Sequence, residues 1–268
     1  MSTAHCTLGA EVPIERMAGH VFLAKMGKRL LRPGGRKGTE QLYALADLRR
    51  DQRVCEIATN RAVSAVEMAE RFGVCVDGVD ASAEFLAQAE KNIADHHLES
   101  RIQVHRTKGD ALPFGDGTFD AVTAEAVITM LPPAQKLATL REAARVLRPG
   151  GRLVIHELAW PEESSKALRQ ELVQVIQHAA WPLTDAEWRS LADDAGLQVD
   201  AFRTGPMSLM SPSGLFYDEG VRGVAKIAWN VLRIPGAKSR FNEMALFFRR
   251  HQREFHYVVL KAIKPIHN

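Results

Sequence analysis

The sequence has few cysteines and no long apolar run. Its three cysteines, Cys6, Cys55 and Cys75, show no metal-ligand spacing, and their odd number leaves one over in any pairing. This usage fits a reduced, cytosolic compartment. No stretch reaches the roughly 18 to 20 uninterrupted apolar residues that a spanning helix needs, and the polar N-terminus lacks an apolar signal core, so we expect neither membrane insertion nor secretion.

The sequence also lacks a large excess of either charge. Lys and Arg total 35 against 32 for Asp and Glu, which argues against a nucleic-acid-binding chain. The cations are nevertheless uneven, since six of the thirteen residues from Lys25 to Lys37 are basic. Such a cluster can meet phosphates, an acidic substrate or a membrane surface, although a solvated face is the commoner case. Charged residues make up 25% and apolar residues 46%, as in a folded globular protein.

Strand-like and helix-like patterns alternate from Arg53 onward, which is typical of βαβ units and a parallel sheet. The predicted strands are 54–57, 74–79, 102–104, 119–124, 152–158, 197–203 and 255–263. The predicted helices are 63–72, 80–95, 134–147, 164–180, 215–232 and 240–251. Thr184 and Glu187 have the spacing of a capping box, residues 1–50 suggest helices around a Pro33 break, and residues 148–151 suggest a turn.

Four segments carry a family resemblance: Glu56-Ile57-Ala58-Thr59-Asn60-Arg61-Ala62, Gly78-Val79-Asp80-Ala81-Ser82, Gly109-Asp110-Ala111-Leu112-Pro113-Phe114 and Leu147-Arg148-Pro149-Gly150-Gly151. From about residue 53 to 158 the chain resembles class I S-adenosylmethionine-dependent methyltransferases, particularly the small-molecule branch with the ubiquinone/menaquinone-type C-methyltransferases. The resemblance implies an α/β, Rossmann-like fold with a seven-stranded, mostly parallel sheet and helices on both faces. It also implies N-terminal helices and helical insertions before the last strands.

The chain is therefore expected to have three regions. Residues 1–50 form an N-terminal helical lid and residues 51–160 the S-adenosylmethionine-binding core. Residues 161–268 complete the sheet and add helical insertions over the substrate. The cofactor implied is S-adenosyl-L-methionine, with S-adenosyl-L-homocysteine as the product.

The methionine end of this cofactor is expected at the turn after the first strand. Glu56, Ala58, Thr59 and Asn60 lie there, and the free amides at a helix N-terminus can meet a carboxylate. Ala124 and Glu125, after the fourth strand, are expected beside the ammonium group, which a main-chain carbonyl or the Glu125 carboxylate could receive. Glu125 could equally face the substrate.

The ribose and adenine are expected along the next two strand ends. Asp80 can accept hydrogen bonds from both ribose hydroxyls, with Ala81 beside it. The resemblance implies that Asp110 accepts from the adenine amino group, that the Ala111 amide donates to the ring, and that Phe114 or Leu112 could cover it. Asp80 also precedes a helix, so a capping role remains an alternative.

The turn after the first strand departs from the family, which usually has glycines where this chain has Ala58, Asn60 and Ala62. Glycine permits a positive φ and a close approach to the ligand. Asn is the other residue that most readily adopts the left-handed conformation, so we expect Asn60 to replace glycine at the most demanding position. Arg61 could contact the methionine carboxylate or pair with Glu67.

Methyl transfer from a sulfonium needs alignment and a dry pocket rather than a nucleophilic side chain. The partner predicted is a small organic acceptor, no metal is expected, and the oligomeric state is left open. The candidate acceptor-site residues are Thr129, His156, Glu157, Trp160, His178 and Tyr217. Core packing would explain the presence of many of these side chains equally well.

Three other functions compete with this prediction. The altered turn could mark a degenerate fold that serves as a binding or regulatory subunit, but the retained Asp80 and Asp110 argue against it. The basic cluster could bind RNA as the methyl acceptor. Nucleotide-linked oxidoreduction would require a Gly-x-Gly-x-x-Gly turn, which is absent.

Overall fold

The computed structural model describes residues 12–107, 111–161 and 166–266. Its strands are β1 (Arg53–Ile57), β2 (Cys75–Asp80), β3 (Ile102–Arg106), β4 (Phe119–Glu125), β5 (Leu147–Ala159), β6 (Gln198–Pro206) and β7 (His256–Ile263). Its helices are α1 (Gly19–Met26), α2 (Gly35–Ala46), α3 (Val63–Phe72), α4 (Ala83–Asp95), α5 (Pro133–Val146), α6 (Lys166–Ile176), α7 (Asp185–Asp194), α8 (Pro212–Arg233) and α9 (Ala237–Arg250).

The seven strands form one sheet in the order β3-β2-β1-β4-β5-β7-β6. Strands β1 to β5 pair in parallel, and β7 runs antiparallel to both β5 and β6. The chain order reverses between β1 and β4, which is where open α/β sheets bind ligands at the carboxyl ends of their strands. The Rossmann-like class I fold predicted from the sequence is confirmed.

Local signals in the sequence start and stop several of these helices. Helix α3 ends at Gly73, which has φ 67° as a left-handed C-cap. In α7 the Thr184 side chain accepts from the Glu187 amide while the Glu187 side chain accepts from the Thr184 amide, so the capping box is confirmed. Helix α4 begins at Ala83, later than predicted, because Ser82 caps it.

Two other predictions about elements were wrong. Residues 148–151, predicted as a turn, belong to β5 because Gly150 donates to the Lys264 carbonyl and Lys264 donates to Gly151, which extends the strand. The helix predicted over 164–180 ends at Ile176, and its first two residues lie outside the described part of the chain.

Three apolar clusters hold the molecule together. Two cover opposite faces of the sheet, one with α5 and α7 and the other with α2, α3 and α4. The third joins α1, α6, α8 and α9 into a helical cap beyond the strand ends. Among the described helices, none is long and apolar enough to cross a membrane.

Candidate functional site

A cavity of about 380 Å³ lies between the carboxyl ends of β1, β2 and β4 and the helical cap. This is a typical volume for a small-ligand site. Its polar wall, from the strand ends and the segment before α2, contains Arg32, Glu56, Thr59, Asn60, Arg61, Ser64, Asp80 and Glu125. Its apolar wall, largely from the cap, contains Leu23, Met130, Leu158, Leu172, Ile176, Met207, Leu209, Met244 and Phe248.

The turn after β1 has the backbone conformation of a glycine-rich loop without its glycines. Ala58, Asn60 and Ala62 have φ of 57°, 52° and 57°, all in the left-handed region. The expectation for Asn60 is therefore confirmed, and the two alanines share its conformation. The Thr59 amide donates to the Val79 carbonyl at 3.0 Å, which ties the turn to β2.

Asp80 ends β2 at the edge of the cavity. Its Oδ2 accepts from the Asn60 amide and its Oδ1 from the Ser82 amide, each at 2.9 Å. The N-cap of α4 is Ser82, whose Oγ accepts from the Phe85 amide. Ser82, not Asp80, therefore caps α4. The Asp80 carboxylate lines the cavity and holds the turn after β1 through the Asn60 amide.

Glu56 is buried at the end of β1 and hydrogen-bonded by the Thr59 hydroxyl. Burial raises the pKa of its carboxyl to about 7, although the Thr59 hydrogen bond and the Arg32 charge oppose the shift. The group can therefore lose its proton near neutral pH when a cation enters the cavity.

Glu125 lies at the centre of a buried polar network. Arg32 Nη1 lies 2.8 Å from its Oε2, and Thr39 Oγ1 and His156 Nδ1 lie 2.9 Å from its Oε1. His156 Nε2 accepts from the Gly34 amide at 3.1 Å, so Nδ1 carries the proton that goes to Glu125. Burial alone would raise the pKa of Glu125, but the Arg32 charge and the His156 hydrogen bond lower it to about 2.

Glu157 was predicted in the acceptor pocket, and the structure places it elsewhere. It is fully buried and accepts from the amides of Val127, Ile128 and Thr129 and from the Thr129 hydroxyl, at 2.7–3.0 Å. These bonds satisfy the tight turn after β4, so Glu157 has a structural role. Thr129, in contrast, lines the cavity.

Three more predicted acceptor residues are not brought to the cavity. His156 is 0% exposed because it is enclosed between Gly34 and Glu125. Trp160 packs against the cap cluster, and Tyr217 is exposed on α8, where the Lys37 ammonium lies 5.6 Å from its ring centroid.

The residues predicted beside Asp80 and around adenine are only partly described. Asp110 lies outside the described residues, and Ala81 and Ala111 are exposed beyond the cavity lining. The Phe114 ring packs edge-to-face on Phe119, with the ring centroids 4.8 Å apart, and against the core.

The basic cluster between Lys25 and Lys37 is largely neutralised within the protein. Lys28 is 1% exposed and lies 3.2 Å from Asp218, and Arg29 lies 3.2 Å from Glu219. Arg32 and Arg36 likewise pair with carboxylates of the core. Its charges attach the segment before α2 to the rest of the molecule.

Sequence reasoning missed four polar residues of the cavity wall, His20, Arg29, Arg32 and Ser64. His20 meets His178, which was predicted, in an edge-to-face contact with ring centroids 5.3 Å apart. Ser64 lies at the start of α3, close in sequence to the end of β1. His20, Arg29 and Arg32 all precede the first strand, and only the basic cluster could have signalled the two arginines. Within the described residues, no group of three or more His, Cys, Asp and Glu side chains is placed to hold a metal.

Comparison with known proteins assigns the chain to a family. Residues 54–151 match a family described as a methyltransferase domain. The chain is 30% identical to a phosphatidylethanolamine N-methyltransferase of Cereibacter sphaeroides, over 62% of this chain and 78% of that one. It is 35% identical to demethylmenaquinone methyltransferase of Mycobacterium tuberculosis, but over only 48% of this chain and 51% of that protein.

Two further likenesses extend over most of the chain. An uncharacterized protein of Haemophilus influenzae is 35% identical over 92% of this chain and 98% of its own length. The structure of a Haemonchus contortus phosphoethanolamine N-methyltransferase with bound S-adenosyl-L-methionine superposes with a TM-score of 0.73 at 16% identity, over 92% of this chain and 57% of that chain. The chain belongs to the class I S-adenosylmethionine-dependent methyltransferase family.

Proposed function

We propose that this enzyme transfers the methyl group of S-adenosylmethionine to a small, largely apolar organic acceptor by direct displacement. The observation that carries the proposal is the division of one cavity into a polar wall at the strand ends and an apolar wall from the cap. A charged, hydrogen-bonding donor suits the first wall, and an uncharged acceptor suits the second.

The polar wall fits the cofactor group by group. The turn formed by Ala58, Thr59 and Asn60 is proposed to meet the methionine carboxylate, together with Arg61, whose guanidinium has no ion-pair partner among the described residues. Glu67 is already paired with Arg36 and Arg71, which removes it as the partner of Arg61.

The ammonium group is proposed to meet Glu56 rather than Glu125. Glu125 already accepts from Arg32, Thr39 and His156, whereas Glu56 accepts from the Thr59 hydroxyl. Asp80 is proposed to hold the ribose. Ala81 keeps its proposed place beside Asp80, and Asp110 and Ala111 keep theirs around adenine.

The bound cofactor supplies an electrophilic methyl group, and the chain supplies alignment and exclusion of water. A hydroxyl or amine acceptor must also give up a proton. Burial and the neighbouring His178 lower the pKa of His20, so its ring is neutral at pH 7 and can accept that proton.

The three regions predicted from the sequence are proposed to divide this work. Residues 51–160 hold the donor. Residues 1–50 and the insertions within 161–268 close over the acceptor, because α1, α6 and α9 supply much of the apolar wall. An RNA acceptor is not favoured, since four of the six cations that suggested it are paired with carboxylates.

Turnover of S-adenosylmethionine with a labelled methyl group tests the proposal. The protein is incubated with a metabolite extract divided into solvent-soluble, aqueous and RNA fractions, and the label is expected in the solvent-soluble fraction. Label in RNA or in aqueous metabolites would contradict the proposed acceptor class.

Once an acceptor is found, His20→Gln is expected to lower kcat and remove the acidic limb of the pH profile, with Lys91→Gln on exposed α4 as the control.

A further inference from the structure

The second half of α8 presents an apolar stripe to the outside of the molecule. Gly220 (φ 66°, ψ 176°) kinks the helix, and residues 221–233 follow it. Val221, Trp229 and Leu232 are 76%, 62% and 72% exposed, whereas Ile227 on the opposite side is 4% exposed. Their spacing places the three exposed side chains on one face, together with exposed alanines at 225 and 228.

This stripe is the outer face of a well-packed helix. On its inner side α8 contacts α1, α2 and α9. Single exposed apolar residues are common on protein surfaces, but a contiguous group that includes Trp and Leu marks a site of interaction.

The charge around the stripe is of one sign. The sequence has no Asp or Glu from Gly220 to Asn242, although the whole chain has nearly equal numbers of acids and bases. Arg222, Lys226 and Arg233 are exposed along one flank of the stripe. Within the described ranges, none of these three cations forms an ion pair.

We propose that residues 221–233 lie in the surface of an anionic lipid bilayer, with the stripe in the interface and the flanking cations against the headgroups. A helix with an apolar face that contains Trp and Leu and a polar face rich in Lys and Arg is suited to that plane. Anionic lipids attract each cation near the surface.

Two other occupants fit the same surface less well. A second copy of this chain packed through the stripe would bring two sets of like charges together, which opposes association. A nucleic acid would use the cations but would leave Val221 and Leu232 without apolar contacts.

The proposed orientation also relates the surface to the cavity. Helix α8 packs on α1 and α9, and both of those helices supply apolar wall residues. Docking would therefore bring the apolar end of the cavity close to a bilayer, where apolar compounds dissolve. The docking itself does not depend on methyl transfer, so the two proposals are tested separately.

Sedimentation of the full-length protein with vesicles tests the proposal. The protein is expected to pellet with phosphatidylglycerol/phosphatidylcholine vesicles at low salt, to remain in solution with phosphatidylcholine alone, and to be released by high salt. Arg222→Glu combined with Arg233→Glu is expected to lower the partition coefficient at least about tenfold, since each cation contributes roughly fivefold. Trp229→Ser combined with Leu232→Ser is expected to cause a similar loss.

Two exposed control positions lie outside this surface. Ile266→Ser removes a side chain that is 70% exposed beside Gly150, at the start of β5, and Lys91→Glu reverses a cation on α4. Both variants are expected to pellet like the original protein. The proposal is overturned if the original protein does not bind anionic vesicles, or if the controls lose as much binding as the stripe variants. It is also overturned if light scattering shows a dimer that the Trp229 and Leu232 changes dissociate.

Discussion

Three non-glycine residues in the turn after β1 adopt an energetically unfavourable backbone conformation. A left-handed backbone at a residue with a Cβ costs about 1–2 kcal/mol, and Ala58, Asn60 and Ala62 all adopt it. The hydrogen bond from the Asn60 amide to Asp80 and that from the Thr59 amide to Val79 hold the strained turn in place. The turn thus keeps the shape of a glycine loop through its neighbours.

Ala58→Gly tests whether that strain is present. Glycine relieves the positive φ but adds disorder to the unfolded chain, worth about 0.4–1 kcal/mol, so stability is expected to stay equal or to rise by up to about 1 kcal/mol. Ala87→Gly, at an exposed position inside α4, is the matched control and is expected to cost about 1 kcal/mol. Urea unfolding measures both, and an equal loss in the two variants would show that Ala58 is unstrained.

The protonation of Glu56 predicts how donor binding depends on pH. Its pKa of about 7 means that the ligand-free carboxyl is mostly protonated below pH 7 and must ionise to meet an ammonium group. Affinity for S-adenosylmethionine is expected to rise about tenfold between pH 6 and pH 8, with proton release on binding. Titration calorimetry in buffers of different ionisation enthalpy measures both quantities.

Glu56→Gln is the control for this pH dependence. The glutamine side chain cannot ionise. At pH 8 the affinity of the variant for S-adenosylmethionine is therefore expected to stay near the affinity that the original protein has at pH 6. Because the folded-state pKa of Glu56 is raised from 4.5, the stability that it contributes is complete below pH 4.5 and is lost as the pH rises through about 7. The variant should lack that loss, and an unchanged pH profile would contradict the assignment.

At the scale of elements, the segment between α1 and α2 is attached to β4, β5 and α8. Arg32 joins it to β4 through Glu125, and Gly34 joins it to β5 through His156. On its other side, Glu219 of α8 accepts from the amides of Arg29 and Leu30. This attachment places Arg32 in the cavity wall.

A double-mutant cycle on Arg32 and Glu125 measures the first attachment. Arg32→Met leaves a buried carboxylate without its cation, and Glu125→Gln leaves a buried cation without its carboxylate, so each is expected to cost about 3–5 kcal/mol. The stability loss of the double variant is expected to be smaller than the sum of the two single losses by at least about 2 kcal/mol. Additive losses in urea unfolding would contradict direct coupling.

The exposed pair of Lys91 and Asp95, with an Nζ to Oδ2 distance of 2.7 Å, provides the reference cycle. Its coupling is expected to be about 0.5 kcal/mol or less, because solvent screens an exposed i,i+4 pair.

The Arg32 and Glu125 pair also depends on pH. The folded-state pKa of Glu125 is lowered to about 2, so its contribution to the free energy of unfolding is complete above pH 4.5 and is lost as the pH falls toward 2.

At the scale of the whole molecule, the cavity exists only where the sheet and the cap meet. The strand ends supply its polar wall and the cap helices much of its apolar wall. A ligand that bridges the two parts stabilises the entire fold, because it binds the folded state alone.

Thermal unfolding with S-adenosylmethionine measures that linkage. At a concentration of 100 times Kd the donor is expected to add about 2.7 kcal/mol and to raise Tm by about 5–10 °C. Asp80→Asn removes the charge proposed to hold the ribose and is expected to reduce the shift by more than half. Asp95→Asn, on the exposed pair, should keep the full shift, and an unchanged shift in Asp80→Asn would contradict the ribose assignment.

The sequence by itself determined most of the elements and the edge of the sheet at which the donor is proposed to bind. Hydrophobic periodicity depends on neighbouring residues, so it marked β1 to β4 and α3 closely. Because parallel strands end at one edge, Glu56, Asn60 and Asp80 could be placed together before any contact was known.

Only the tertiary structure decided which of the remaining polar residues face the cavity. Glu157 and Glu125 both belong to strand ends, yet one satisfies a buried turn and the other meets Arg32 from a distant segment. The same holds for His156, enclosed beneath Gly34, and for His20, brought to the cavity by the packing of α1. Burial and pairing of this kind arise from long-range contacts, which local sequence patterns do not encode.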